Sequence, residues 1–189
     1  MKIIPCFITC VLLMSGTILR AAPGPAAAPT FGPVIEGVIG YGPFGKNPPA
    51  FNMDTGKPVA LSDNDLMSEQ AVRKAGVNLY FSPIQNDLMH LTALDLRLVP
   101  LGGPSEMRPG LGWSQEESAA NAAWQHTTVA NVREVIDKAS ENSPAMIGVY
   151  AFSTGKSIGL LQIIGPNRPS TNTIDGVKFR YKRVQTDKK

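Results

Sequence analysis

Apolar and polar positions after residue 33 alternate first with the period of strands, then with that of helices, then again with that of strands. Val34–Tyr41 is apolar and interrupted by Gly37 and Gly40, which predicts a strand with a close neighbour at both glycines. Tyr41–Pro49 is dense in Gly and Pro and predicts a loop. In Phe51–Leu61, Asp54-Thr55-Gly56 separates two apolar runs, so a hairpin turn is expected with Gly56 at positive φ. Ser62 with Asp65 approximates a capping box for a helix that carries Leu66, Met67, Ala71 and Val72 and stops at Gly76.

Val77–Phe81 alternates apolar residues with Asn78 and Tyr80, the pattern of a half-buried strand. Leu91–Val99 places Leu94, Leu96 and Leu98 on one face and Asp95 and Arg97 on the other, which predicts one further strand. Gly102–Gly112 reads as a second Gly/Pro loop. Ser114 and Glu117 form a capping box for an Ala-rich helix ending near Trp124. Thr127 or Thr128 opens another, with Val129, Val132, Val135, Ile136 and Ala139 on one stripe. Met146–Phe152, Ser157–Ile164 and Gly176–Val184 are three strands in succession, expected to pair antiparallel. The whole predicts one α+β domain, mainly antiparallel sheet, with hairpins at Asp54–Lys57 and Ser153–Lys156 and two to three helices.

The residues before this pattern set the compartment. Lys2 precedes an apolar run over Ile3–Ile18, and Ala21 and Ala22 follow Arg20, which is the order of charge, apolar core and small residues in a secretory signal. Residues 1–22 are therefore expected to be removed, with cleavage between 21 and 28. Residues 23–32 then form a Pro/Ala spacer before a domain spanning 33–189. The product is expected outside the cytoplasm, periplasmic or extracellular, with no membrane span left after cleavage. Cys6 and Cys10 both lie in the signal, so the mature chain holds no thiol nucleophile, no cysteine-bound zinc and no disulfide. About 160 residues remain, enough for one ordinary core.

Charge adds one local feature. The net +3 of the chain includes Lys2 and Arg20; without them 16 basic residues face 15 acidic ones. Asp175–Lys189 alone holds six basic and two acidic residues, so the excess belongs to the C-terminal strand and tail, not to a nucleic-acid-binding domain. Lys178, Arg180 and Lys182 share one strand face, opposite Val177, Phe179 and Tyr181, and Arg183, Lys188 and Lys189 extend the row. Such a row suits contact with an anionic partner. It equally suits an edge strand kept soluble by charge.

VYAFSTGKSIGLLQIIG contains a Gly-Lys-Ser that ends like a phosphate-binding loop. That loop needs a Gly where Tyr150 stands and a helix where IGLLQIIG favours a strand, so no nucleotide is expected. Asp54-Thr55-Gly56-Lys57 and Ser153-Thr154-Gly155-Lys156 instead read as one hairpin turn used twice, with Asp54 and Ser153 opening it and Gly56 and Gly155 in the left-handed position. FNMDTGK, GVNLYF, ALDLRLVP, VYAFSTGKSIGLLQIIG and GVKFRYKRV together resemble a module of exported proteins from planctomycete- and verrucomicrobia-type bacteria. The resemblance is to the C-terminal extracytoplasmic portion of antirepressor-type membrane metallopeptidases and regulatory membrane proteins, over about Ala50–Val184. It implies an envelope location and a part in signalling, and no activity. The chain departs from that module at Asn78, where an acid is common, and at Lys156; it has no HExxH motif, so peptidase function does not transfer.

Other candidate chemistry is sparse. His90 and His126 are the only imidazoles and could share a metal with Asp87 or Asp95 only if the fold gathers them. Gly155-Lys156-Ser157-Ile158-Gly159 has the letters GxSxG, but IGLLQIIG favours a strand where a nucleophile elbow needs a helix. Glu116 and Glu117 are adjacent in a first helical turn, where the helix dipole accounts for them. Trp113 and Trp124 could stack on a sugar or pack in the core. The sequence thus points to a non-catalytic exported module, without cofactor or metal, that binds a protein or an anionic envelope component through Lys178, Arg180, Lys182 and Arg183. The alternative is a small secreted hydrolase with a site assembled from scattered Ser, His, Asp and Glu residues.

Overall fold

The computed structural model describes residues 28–41, 46–82, 91–102, 113–140, 142–170 and 173–185, with side chains omitted at 102 and 113–117. The signal segment with Cys6 and Cys10, residues 23–27 of the spacer, His90 and Asp87, residues 42–45 of the first Gly/Pro loop and 103–112 of the second, and Lys188–Lys189 lie outside the described residues.

Two antiparallel sheets face each other, and each carries a pair of helices on its outer face. The larger sheet contains β1 (Thr30–Phe31), β2 (Ile35–Gly40), β7 (Arg97–Gly102), β8 (Gly148–Ser153), β9 (Ile158–Asn167) and β10 (Gly176–Gln185). Its order is β1-β10-β9-β8-β7, and β2 pairs beside β1 on the same edge of β10. The smaller sheet has the order β4-β3-β5-β6, built from β3 (Ala50–Asn52), β4 (Lys57–Val59), β5 (Leu79–Tyr80) and β6 (Thr92–Ala93). Helices α1 (Asp63–Leu66) and α2 (Glu69–Lys74) cover the smaller sheet; α3 (Trp113–His126) and α4 (Val129–Lys138) cover the larger. This is the expected α+β domain, with four helices among the described residues.

The alternation of each strand distributes side chains between layers. Phe51, Leu79, Leu98, Tyr150, Phe152, Leu161, Ile163, Val177, Phe179 and Tyr181 fill the space between the sheets. Val149, Ala151 and Leu160 point the other way, toward Ala120, Trp124, Val132 and Ile136 of the helices. Gly37 permits one close approach: a Cβ there would lie 2.6 Å from the Phe179 ring.

Several elements differ from the sequence reading, each for a local reason. The helix expected to run from Ser62 to Gly76 is two helices. Ser62 and Asp65 form the capping box of α1, but the Ser68 side chain accepts from the Ala71 amide and starts α2 afresh. The strand expected over Leu91–Val99 bends at Asp95, which takes φ 50° and is braced by Arg73 of α2. Its two halves therefore join different sheets, with Leu94 beneath α1 and α2 and Leu96 and Leu98 between the sheets. Val77–Phe81 is buried throughout, because helices cover the face that the pattern leaves to solvent. Ser114 lies within α3, after Trp113, so it is not the residue that precedes the helix. Of the two starts expected for the next helix, Thr128 is the one observed, capping α4 in a reciprocal box with Asn131. Thr30–Phe31, expected in the spacer, pairs with Gln185 and Val184.

The C-terminal strand also departs from the expected edge. β10 bonds to β9 on one side and to β1 and β2 on the other, so it lies inside the sheet.

Two outcomes follow from this packing. A Cβ at Gly159 would overlap the Lys182 carbonyl oxygen and the Phe152 ring, whereas one at Gly155 meets nothing within 4 Å. Gly159→Ala should cost about 3 kcal/mol by overpacking. Gly155→Ala should cost about 1 kcal/mol through its φ of 81° alone. Urea midpoints measure both. The second outcome concerns Tyr150, whose buried hydroxyl donates to the Met146 carbonyl oxygen and whose pKa burial pushes up to about 12. Folding favours the protonated phenol, so that stability is whole below about pH 10 and falls, by at most about 2–3 kcal/mol, as pH rises toward about 12. Tyr150→Phe should lose about 1 kcal/mol at neutral pH, and its deficit should shrink above about pH 10 in denaturant titrations.

Candidate functional site

The β3–β4 and β8–β9 hairpins end side by side at one end of the two sheets. Each encloses four residues between paired positions, Asn52 with Lys57 and Ser153 with Ile158. Gly56 and Gly155 take φ 72° and 81°, as the turn reading requires. The turns are not copies, however. Gly56 is the fourth loop residue and Gly155 the second, and Asn52, not Asp54, opens the first turn by accepting from the Thr55 amide at 2.8 Å.

This frees Asp54 to join the turns. Its Oδ1 accepts from the Thr154 hydroxyl at 2.6 Å and from the Ser157 hydroxyl at 3.1 Å. Thr154 Oγ1 in turn accepts from the amides of Lys156 and Ser157. The Arg183 guanidinium donates to the Asp54 carbonyl oxygen at 2.5 Å, and the Tyr181 hydroxyl donates to that of Met53 at 3.1 Å. Asn78, buried, accepts from the Met53 amide. A neutral amide suits that place, since its oxygen takes the amide hydrogen without burying a charge. Among the described residues the Thr154 and Ser157 hydroxyls meet each other and the Asp54 carboxylate, so the cluster fastens the two turns together.

Three depressions surround the β8–β9 turn. One of about 240 Å³ includes Ile35, Ser157, Arg183 and Gln185 in its wall. A shallow one of about 540 Å³ runs past Asp95, Arg97, Ser140 and Asn142 to Ser153 and Thr154. The third, about 220 Å³, lies between Arg133 and Lys156. Arg97, Arg133 and Lys156 thus border the same turn from three elements, and none of them makes an ion pair among the described residues. Asp95 in the second depression is engaged by Arg73.

The basic row of β10 is used quite differently along its length. Lys178 is exposed. Arg180 donates to the buried Gln162 at 2.7 Å and lies 4.5 Å over the Trp124 ring. Lys182 sits 4.4 Å over Phe31 and 4.8 Å over Trp124, and burial, with Arg180 nearby, lowers its pKa. Arg183 holds the Asp54 carbonyl. Trp124 is therefore a packing residue, 7% exposed, whose ring is covered by two cations of the sheet.

The remaining candidates are not gathered among the described residues. His126 is exposed at the end of α3, whereas His90 and Asp87 lie outside the described residues, as do the side chains of Trp113, Glu116 and Glu117. Among the described residues no three His, Asp or Glu side chains come within reach of one metal ion, and no helix is long and apolar enough to cross a membrane. Sequence reasoning passed over Asn52, Thr154, Ser157, Arg97 and Arg133. The Asp and Ser/Thr content of the two turns is visible in the chain, but their meeting depends on how the sheets face each other. No family model, curated protein or solved structure matches the chain.

Asp54→Ala should destabilise the protein by about 1.5–3 kcal/mol, as loss of bonds to a charged acceptor does, and Thr154→Val by about 1 kcal/mol. Combined, they should cost less than their sum by about 1 kcal/mol in urea unfolding. Strict additivity would mean that the turns are not joined through this bond.

Proposed function

We propose that the chain is an exported, non-catalytic module that binds an anionic partner, an envelope component or an acidic protein, at the end carrying the two turns. The observation that carries this reading is the division of charge there. The Asp54 carboxylate is turned inward onto Thr154 and Ser157, while Arg97, Arg133 and Lys156 stand around the turn without a carboxylate partner among the described residues. Of the β10 row, Arg180, Lys182 and Arg183 support the fold, which leaves Lys178 as its exposed member among the described residues. The fixed turn lowers the ordering cost of binding, because the cations project from a surface already braced by hydrogen bonds. Export is supported by the charge and apolar order of residues 1–22, and a role in envelope signalling by the resemblance of Ala50–Val184.

Binding through exposed charges is screened over about 10 Å at 0.1 M salt. The purified protein should therefore sediment with isolated cell envelopes at low ionic strength and be released progressively as salt rises. Retention that is independent of salt, or no retention at all, would overturn the proposal.

A further inference from the structure

The depression between α4 and the β8–β9 turn has the most defined chemistry of the three. Arg133 reaches it from the helix and Lys156 from the turn, with Ser153, Ser157 and Val184 completing much of the wall, and no carboxylate among the lining residues. Arg133 and Lys156 are both exposed. The turn amides do not face a ligand freely: those of Gly155, Lys156 and Ser157 donate to the hydroxyl oxygens of Ser153 and Thr154. An anion here is thus held by side chains.

We infer that this depression is a subsite for a phosphoryl-type oxyanion. The inference rests on the binding reading above and names the group recognised. An Arg fork alone takes both oxygens of a planar carboxylate. A tetrahedral oxyanion offers acceptors in further directions, so it can meet a fork from one side and a compact ammonium from another. Arg133 and Lys156, on separate elements flanking one opening of about 220 Å³, supply that combination. The group can come from free phosphate or from a phosphodiester polymer.

The test titrates isotope-labelled protein with inorganic phosphate, with acetate at matched ionic strength, and with a glycerol-phosphate oligomer, following the Gly155 and Lys156 amide signals. Saturable shifts with phosphate are expected, with affinity weaker on the order of tenfold in Arg133→Gln and in Lys156→Gln. Lys74→Gln, on α2 beyond the other sheet, should bind as the parent does. Tighter binding of the oligomer identifies a polymer as the source, and equal binding identifies the free ion; either supports the subsite. Absence of a saturable shift, acetate equal to phosphate, or a loss in Lys74→Gln as large as in the other two would overturn it. Envelope sedimentation separates the two proposals. Undiminished retention of the Arg133→Gln/Lys156→Gln protein removes the subsite and leaves the binding role, whereas phosphate binding without envelope retention removes the role and leaves the subsite.

Discussion

β10 is bonded along both edges and buried on its inward face, and that double constraint fixes much of the molecule. Val177, Phe179 and Tyr181 enter the space between the sheets, while Arg180 and Lys182 lie under α3. A slip of one residue would exchange the two sets, placing cations among Phe51, Phe152 and Leu161. The register is anchored where the layers meet: Tyr181 packs edge-on to Phe51 and Phe152, and its hydroxyl bonds to the Met53 carbonyl oxygen. Arg183, two residues on, bonds to the Asp54 carbonyl. The position of the β3–β4 turn, and with it the reach of Asp54 to Thr154, follows from the register of the last strand.

Local features of the fold were legible because local chemistry decides them. Gly56 and Gly155 relieve a left-handed backbone, Thr128 caps a helix, and Val177, Phe179 and Tyr181 alternate with charge. Elsewhere a side chain or a tertiary contact overrides the apolar pattern. Ser68 competes for the helix backbone and divides it. Asp95 tolerates the left-handed region better than most residues, so one apolar run can serve two sheets. Val77–Phe81 has the alternation of a half-exposed strand, yet α1 and α2 provide a second apolar layer for Tyr80.

The candidate site was less legible than the fold, and the cations show why. Arg and Lys have apolar stems that pack well, so a charged letter does not tell whether its head reaches water or an aromatic face. Arg180 and Lys182 occupy the Trp124 ring and serve the packing of helix on sheet. Arg133 gives no comparable signal in the sequence, since it is one exposed position on an amphipathic helix. It acquires interest only because α4 runs beside the β8–β9 turn.

The Gly-Lys-Ser of that turn illustrates how the same letters carry different physics. In a phosphate-binding loop the amides converge on the anion and a helix dipole adds to them. Here Ser157 leads into β9, and the neighbouring amides are turned toward Ser153 and Thr154. Any anion at this turn meets charged side chains on the surface, where water competes and salt screens. Such contacts are individually weak, and several acting together bind more tightly than one. Arg97, Arg133 and Lys156 stand around one turn braced by hydrogen bonds, and under the proposed reading they would act together in that way.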